Sequence, residues 1–158
     1  MPPISRARLK RDLATRAQAA LDTVRAAHAA AMEGATHSEA RAENDKDTRG
    51  LEQSYLARGL ATRVVELEGA LGAIAQLPEA AGGARSTRGA VIPAADDGGK
   101  QLRYYLAPWG GGEELPGDVV VVTPSSPIGR ALLGRQAGDE VEVQRPGGAR
   151  ALTLVAIG

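Results

Sequence analysis

The chain has 158 residues, enough for one domain or two small ones. Its 19 Lys and Arg balance its 19 Asp and Glu, which excludes a chain-wide electrostatic pull toward nucleic acid or membrane. Cys and Phe are absent and aromatics are 3%, which excludes disulfides and thiolate metal sites and leaves an aliphatic core.

The opening stretch, MPPISRARLKRDLATRAQ, is charged and has no apolar h-region, so no signal peptide is read there. No apolar run approaches the roughly 20 residues of a membrane helix. A cytoplasmic protein with no membrane partner is the expectation. Arg6, Arg8, Lys10 and Arg11 form a basic cluster, read as a solvated helix face. From there Leu9, Leu13, Ala17, Ala20, Val24, Ala27 and Ala31 step by three or four, a narrow apolar stripe along one helix. Leu60, Val64, Leu67, Leu71, Ile74 and Leu77 repeat the pattern. No third amphipathic segment completes a bundle, so the spacing predicts an antiparallel helical hairpin, a two-helix coiled coil, over residues 1–78. Helices of about 30 residues would each be about 45 Å long.

The hairpin tip falls near residues 36–52. Gly34 is expected to weaken or end the first helix, and Asn44 to cap the second, with Asp45 and Asp47 in its first turn. Glu39, Glu43, Asp45, Asp47 and Glu52 make the tip acidic. Carboxylates so far from a core are candidate ligands for a hard cation, although Asp45 and Arg49 also have the spacing of an ordinary helix ion pair. His28 reads as a packing residue near the seam, and His37 as a solvated polar residue.

Pro78 stops the second helix and Gly82-Gly83 loosens the chain, so residues 79–90 read as a linker. The remainder, 91–158, has the grammar of an α+β domain. Gln101–Pro108, Asp118–Thr123, Asp139–Gln144 and Arg150–Ile157 read as strands of a small antiparallel sheet. Pro146–Gly148 is a hairpin turn. Trp109 sits in a glycine-rich loop that lacks the Lys-Ser/Thr of a P-loop. Between the second and third strands, Ser126 is a good N-cap and Pro127 fits the first helical position. Two helical turns follow, ended by Gly134 or Gly138.

The string Ser126, Pro127, Ile128, Gly129, Arg130, Ala131, Leu132, Leu133, Gly134, Arg135, then Gly138-Asp139, closely resembles the C-terminal signature of the Gre-type transcription elongation factors, the GreA/GreB family. The order of hairpin, linker and C-terminal domain resembles that family over nearly the whole chain. The resemblance implies an FKBP-like C-terminal domain that docks on bacterial RNA polymerase beside its secondary channel, with Ser126, Pro127, Ile128, Gly129, Leu132 and Leu133 as docking residues. It implies a hairpin whose acidic tip reaches the polymerase active centre, near the nascent RNA. The protein would then be an accessory factor rather than an enzyme, a monomer with no cofactor of its own. Asp47, Glu43, Asp45 and Glu52 are the candidates for holding a Mg²⁺ shared with the polymerase. The family's cleavage factors carry Asp, then Glu three residues later. No Asp-x-x-Glu occurs between Ala35 and Tyr55. Asp47 and Glu52 are five apart and diverge by about 140° on a regular helix. This departure points to a divergent branch, with a non-cleaving regulator or inhibitor as the alternative function. A prolyl isomerase would need aromatic pocket walls that this composition does not supply. A structural coiled-coil adaptor leaves the Ser126–Asp139 string unexplained.

Overall fold

The computed structural model describes residues 4–40, 48–80 and 82–158. Helix α1 spans Arg6–Ala40 and α2 spans Arg49–Ala75. A six-stranded sheet and a short helix follow: β1 Val91–Asp96, β2 Gln101–Leu106, β3 Glu114–Leu115, β4 Val119–Val122, α3 Pro127–Leu132, β5 Glu140–Arg145 and β6 Gly148–Leu154. The chain divides into two compact units, Met1–Thr15 with Gly72–Gly158, and Arg16–Leu71.

In the second unit the two helices run antiparallel. Arg25 pairs with Glu68 at 2.9 Å, and Gly34 faces Gln53. Ala17, Leu21, Ala31, Ala35, Ala57 and Leu67 are buried, with Val24, His28, Leu60 and Val64 half-buried. The expected stripe is therefore rotated in the middle of α1. Leu21 is buried and His28 half-buried, while Ala20 is half-buried and Ala27 is exposed. The larger apolar side chain takes the interior position because it removes more surface from water. Gly34 does not end α1, which continues to Ala40. A Cβ there would come within 3.2 Å of Gln53 Oε1, so the missing side chain gives Gln53 its space. The expected cap Asn44 and the pair Asp45–Arg49 fall on residues 41–47, outside the described residues, and α2 is described from Arg49.

The larger unit takes in the first turns of α1 as well as the sheet. Leu9, Leu13, Ile74 and Leu77 are buried in it. A Cβ on Gly110 would lie 2.9 Å from Leu13 Cδ1. The strand order is β3-β4-β2-β1-β6-β5. Four pairings are antiparallel, and β2 with β4 is parallel, in the register Arg103↔Val119 to Leu106↔Val122. The sheet is thus mixed, and larger than the four strands read from the sequence. Ile92, Ala94, Tyr104, Leu106, Val122, Leu132, Val141, Val143, Leu152 and Leu154 form its core. β5 alternates buried Val141 and Val143 with exposed Glu140, Glu142 and Gln144, the pattern of a half-buried edge strand.

β1 lies between β2 and β6 despite Pro93. The Pro93 carbonyl accepts from Val155 N–H at 2.8 Å, just past the end of β6, and Val91 then exchanges both bonds with Gly158. β6 has ended at Leu154 by this point, so Pro93 faces the strand's end rather than its regular ladder, and one extra residue separates the Val155 and Gly158 pairings. Tyr105 is buried on the face turned toward Arg6. Burial pushes its phenol up to about 12, against the opposing pull of the Arg6 charge.

Candidate functional site

The sequence motif folds into a turn–helix–turn whose N-terminal capping groups are satisfied locally. Thr123 leaves β4 with its carbonyl pointing back under the helix. That oxygen accepts from Ser126 N–H at 3.0 Å and from Ser126 Oγ–H at 2.7 Å. Ser126 Oγ in turn accepts from Gly129 N–H at 3.0 Å, the N-cap bond that a helix start requires. Pro127 follows at the first position, where a missing N–H costs nothing. Gly129 is obligatory, because a Cβ there would meet the Thr123 carbonyl oxygen. Gly134, at φ 78°, turns the chain out of the helix, so Gly134 rather than Gly138 ends it.

A residue that sequence reasoning missed closes the other end. Ser86, assigned there to the linker, is buried and bonded on every side. Its N–H donates to the Arg135 carbonyl, and its own carbonyl accepts from Gly134 N–H, both at 2.8 Å. Its Oγ–H donates to the Leu132 carbonyl and its Oγ accepts from Arg135 N–H at 2.9 Å. The open carbonyls of a helix end are thus met from 46 residues away in sequence. No local signal marks such a serine, since its role exists only through long-range pairing.

The six docking candidates divide by burial. Gly129 and Leu132 are buried, Leu132 within the core. Ser126 is half-buried and engaged in capping. Pro127 and Leu133 are exposed, and Ile128 is half-buried against the core. The first three residues build the platform, and Pro127, Ile128 and Leu133 are the part a partner can touch. Beside Ile128 lies an open, mostly apolar groove of about 490 Å³, walled by Val120, Val122, Thr123, Ile128, Val143 and Arg145 among others. None of its lining residues is aromatic.

At the hairpin tip, Glu43, Asp45 and Asp47 lie outside the described residues. Glu52 is exposed in the first turn of α2, where its carboxylate faces the favourable end of the helix dipole. Its N–H donates to the Thr48 carbonyl at 2.9 Å. His37 is exposed in the last turn of α1. Among the described residues, no three His, Cys, Asp or Glu side chains are arranged to hold a metal ion. The exposed Glu52 carboxylate fits a hard cation as a single ligand.

The basic cluster at the start of α1 is not one solvated face. Arg6 is buried, donating to the carbonyls of Ala80 and Gly158. Lys10 pairs with Glu79 at 3.2 Å, and Arg8 lies 3.9 Å from Asp12. Arg11 remains exposed. Among the described residues, no helix is long and apolar enough to cross a membrane.

A family model described as "Transcription elongation factor, GreA/GreB, C-term" matches residues 89–158, the segment that holds α3 and all six strands. The transcription elongation factor GreA of Alkalilimnicola ehrlichii is 34% identical over 118 residues, covering 73% of this chain and 71% of the relative. That of Polaromonas naphthalenivorans is 32% identical over 125 residues, 76% of this chain and 77% of the relative. Among solved structures, GreA factor homolog 1 (Gfh1) of Thermus thermophilus covers 92% of this chain and 94% of its own, at 21% identity and a TM-score of 0.40. With two relatives above 30% identity over more than two thirds of their length, and the family model on its C-terminal domain, this chain belongs to the GreA/GreB family of transcription elongation factors.

Proposed function

We propose that the chain binds bacterial RNA polymerase at its secondary channel and modulates elongation there, as a cytoplasmic accessory factor rather than an enzyme. The observation that carries this reading is the intact motif from Ser126 to Asp139. Its capping residues are all engaged, and Pro127, Ile128 and Leu133 are left at the surface for docking. In this reading the hairpin of α1 and α2 enters the channel and brings the tip near the nascent RNA.

Glu52, with Glu43, Asp45 and Asp47, would be the side chains that hold a Mg²⁺ shared with the polymerase. Such an ion accepts one or two protein carboxylates and keeps several waters, so an exposed acidic tip suits it. When bound, it supplies charge stabilisation for hydrolysis of the RNA phosphodiester. The chain's own part is to carry oxygen ligands to that ion and to fill the channel around it.

One observation favours a second reading, a secondary-channel regulator that does not stimulate cleavage. Asp47 and Glu52 stand five residues apart instead of three, and no Asp-x-x-Glu replaces them. A backtracked elongation complex of the cognate polymerase separates the two. Faster RNA cleavage on adding the chain supports the first. Binding without added cleavage supports the second, and absence of binding removes both.

A further inference from the structure

The last turn of α3 gathers positive charge that the described residues do not neutralise. Arg135 Nε donates to the Ala131 carbonyl at 3.1 Å, and Arg85 Nη1 donates to the Gly134 carbonyl at 2.9 Å. The first satisfies a carbonyl that a helix end leaves open, and the second holds the turn just beyond it. They use one donor from each side chain, and a guanidinium has five. The Arg130 guanidinium, one residue before Ala131, has no partner among the described residues. Among the described residues none of the three pairs with a carboxylate, whereas Arg150 on β6 meets Asp96 at 2.6 Å. All three arginines are exposed, and so is Leu133, which lies between Arg130 and Arg135 at the helix cap. In a chain of zero net charge this is a local concentration of one sign around an apolar side chain.

We infer that Arg85, Arg130 and Arg135 form a cationic face that grips an acidic patch on the protein partner, with an apolar side chain of that partner covering Leu133. The inference rests on the polymerase reading and gives the chemistry of the surface that receives this domain. A guanidinium fork matches carboxylates and phosphates alike. Leu133 decides between them. A phosphate backbone has no apolar counterpart for it, while protein interfaces combine arginine with apolar contacts. Exposed charges of this kind act mainly on the association rate and its salt dependence.

The test uses the full chain and cognate core polymerase, with affinity measured at low and high salt. Arg130→Glu is the cleanest variant, because that guanidinium makes no bond among the described residues. The triple change Arg85→Gln, Arg130→Gln, Arg135→Gln is run beside it, with thermal unfolding of each variant as the folding control. Arg130→Glu weakens binding at least about fivefold at low salt, and the loss shrinks at high salt. Leu133→Ser weakens it at both. Equal polymerase affinity for wild type, Arg130→Glu and the triple variant overturns the inference. So does a pattern in which these variants lose affinity for naked RNA or DNA and keep it for polymerase, which would make the face a phosphate site. Wild type that does not bind polymerase at all removes the functional reading itself, and this inference with it.

Discussion

The Thr123 carbonyl oxygen lies under Gly129 so closely that a Cβ on the glycine would sit 1.7 Å from it. That oxygen is also the acceptor for both the N–H and the hydroxyl of Ser126, so it has no freedom to withdraw. Gly129→Ala must therefore break the cap or displace β4, and should destabilise the chain by about 3 kcal/mol. Gly134→Ala is the contrast. Its φ of 78° disfavours a side chain but nothing lies within 4 Å of the new Cβ, and the cost should be about 1 kcal/mol. Urea unfolding of the two variants beside wild type measures both. Equal effects would contradict the steric argument.

Ser86→Ala removes the group that joins the Leu132 carbonyl to the Arg135 N–H. Both are left without that partner in a buried place, and the loss should be about 1–3 kcal/mol. The same reasoning predicts that a fragment starting at Arg88 unfolds more readily than the full chain, since it lacks Ser86. A Ser86→Ala midpoint within error of wild type would show that water replaces the hydroxyl.

These two residues show what the sequence makes legible. The cap at Ser126, the proline after it and the stop at Gly134 are local rules, so α3 could be read within a residue or two. The hairpin followed from the period of its apolar positions. The choice of Ala20 over Leu21 missed the seam, because several neighbouring positions of α1 are apolar and period alone does not rank them. β1 was missed because Pro93 argues against a strand between two others, and only the end of β6 at Leu154, opposite Pro93, makes it acceptable. β3 has two residues and leaves no pattern. Ser86 acts through partners 46 and 49 residues away, which no window along the chain contains. For the site, the outward Pro127 and Leu133 and the inward Leu132 share one short apolar run, and only the packing separates them.

Asp96 ties β1 to β6 through Arg150. The hydrogen bond from that side chain, followed by those from the N–H groups of Lys100 and Gly98, holds the Asp96 carboxyl below its ordinary value of 3.8. A depressed carboxyl pKa contributes stability that is present above the unfolded value and disappears as pH falls through the folded one. Wild type should therefore exceed Asp96→Asn in urea midpoint at neutral pH, and the gap should close in acid, below about pH 4. A gap that stays constant into strong acid would show that the charge is not what the asparagine lacks.

At the tip, Asp47→Asn and Glu52→Gln keep the shape of each side chain and remove its charge. Polymerase affinity should be unchanged, because docking is placed on α3 and the sheet rather than on the tip. Whatever cleavage the wild type stimulates should fall sharply in Asp47→Asn, since a neutral amide is a poor Mg²⁺ ligand. Quantifying short RNA products from a backtracked complex reads this directly. Cleavage at the wild-type rate in the double variant would take the metal-holding role away from these two residues.

The chain is proposed to dock on the polymerase beside its secondary channel through the domain that carries Ser126–Asp139, with the hairpin filling the channel. The most direct measurement is competition, in which labelled GreA bound to its core polymerase is titrated with the full chain. Displacement of GreA to completion, with Leu133→Ser requiring a higher concentration than wild type, is the predicted result. If wild type binds polymerase without displacing GreA at any concentration, or does not bind at all, the claim is wrong.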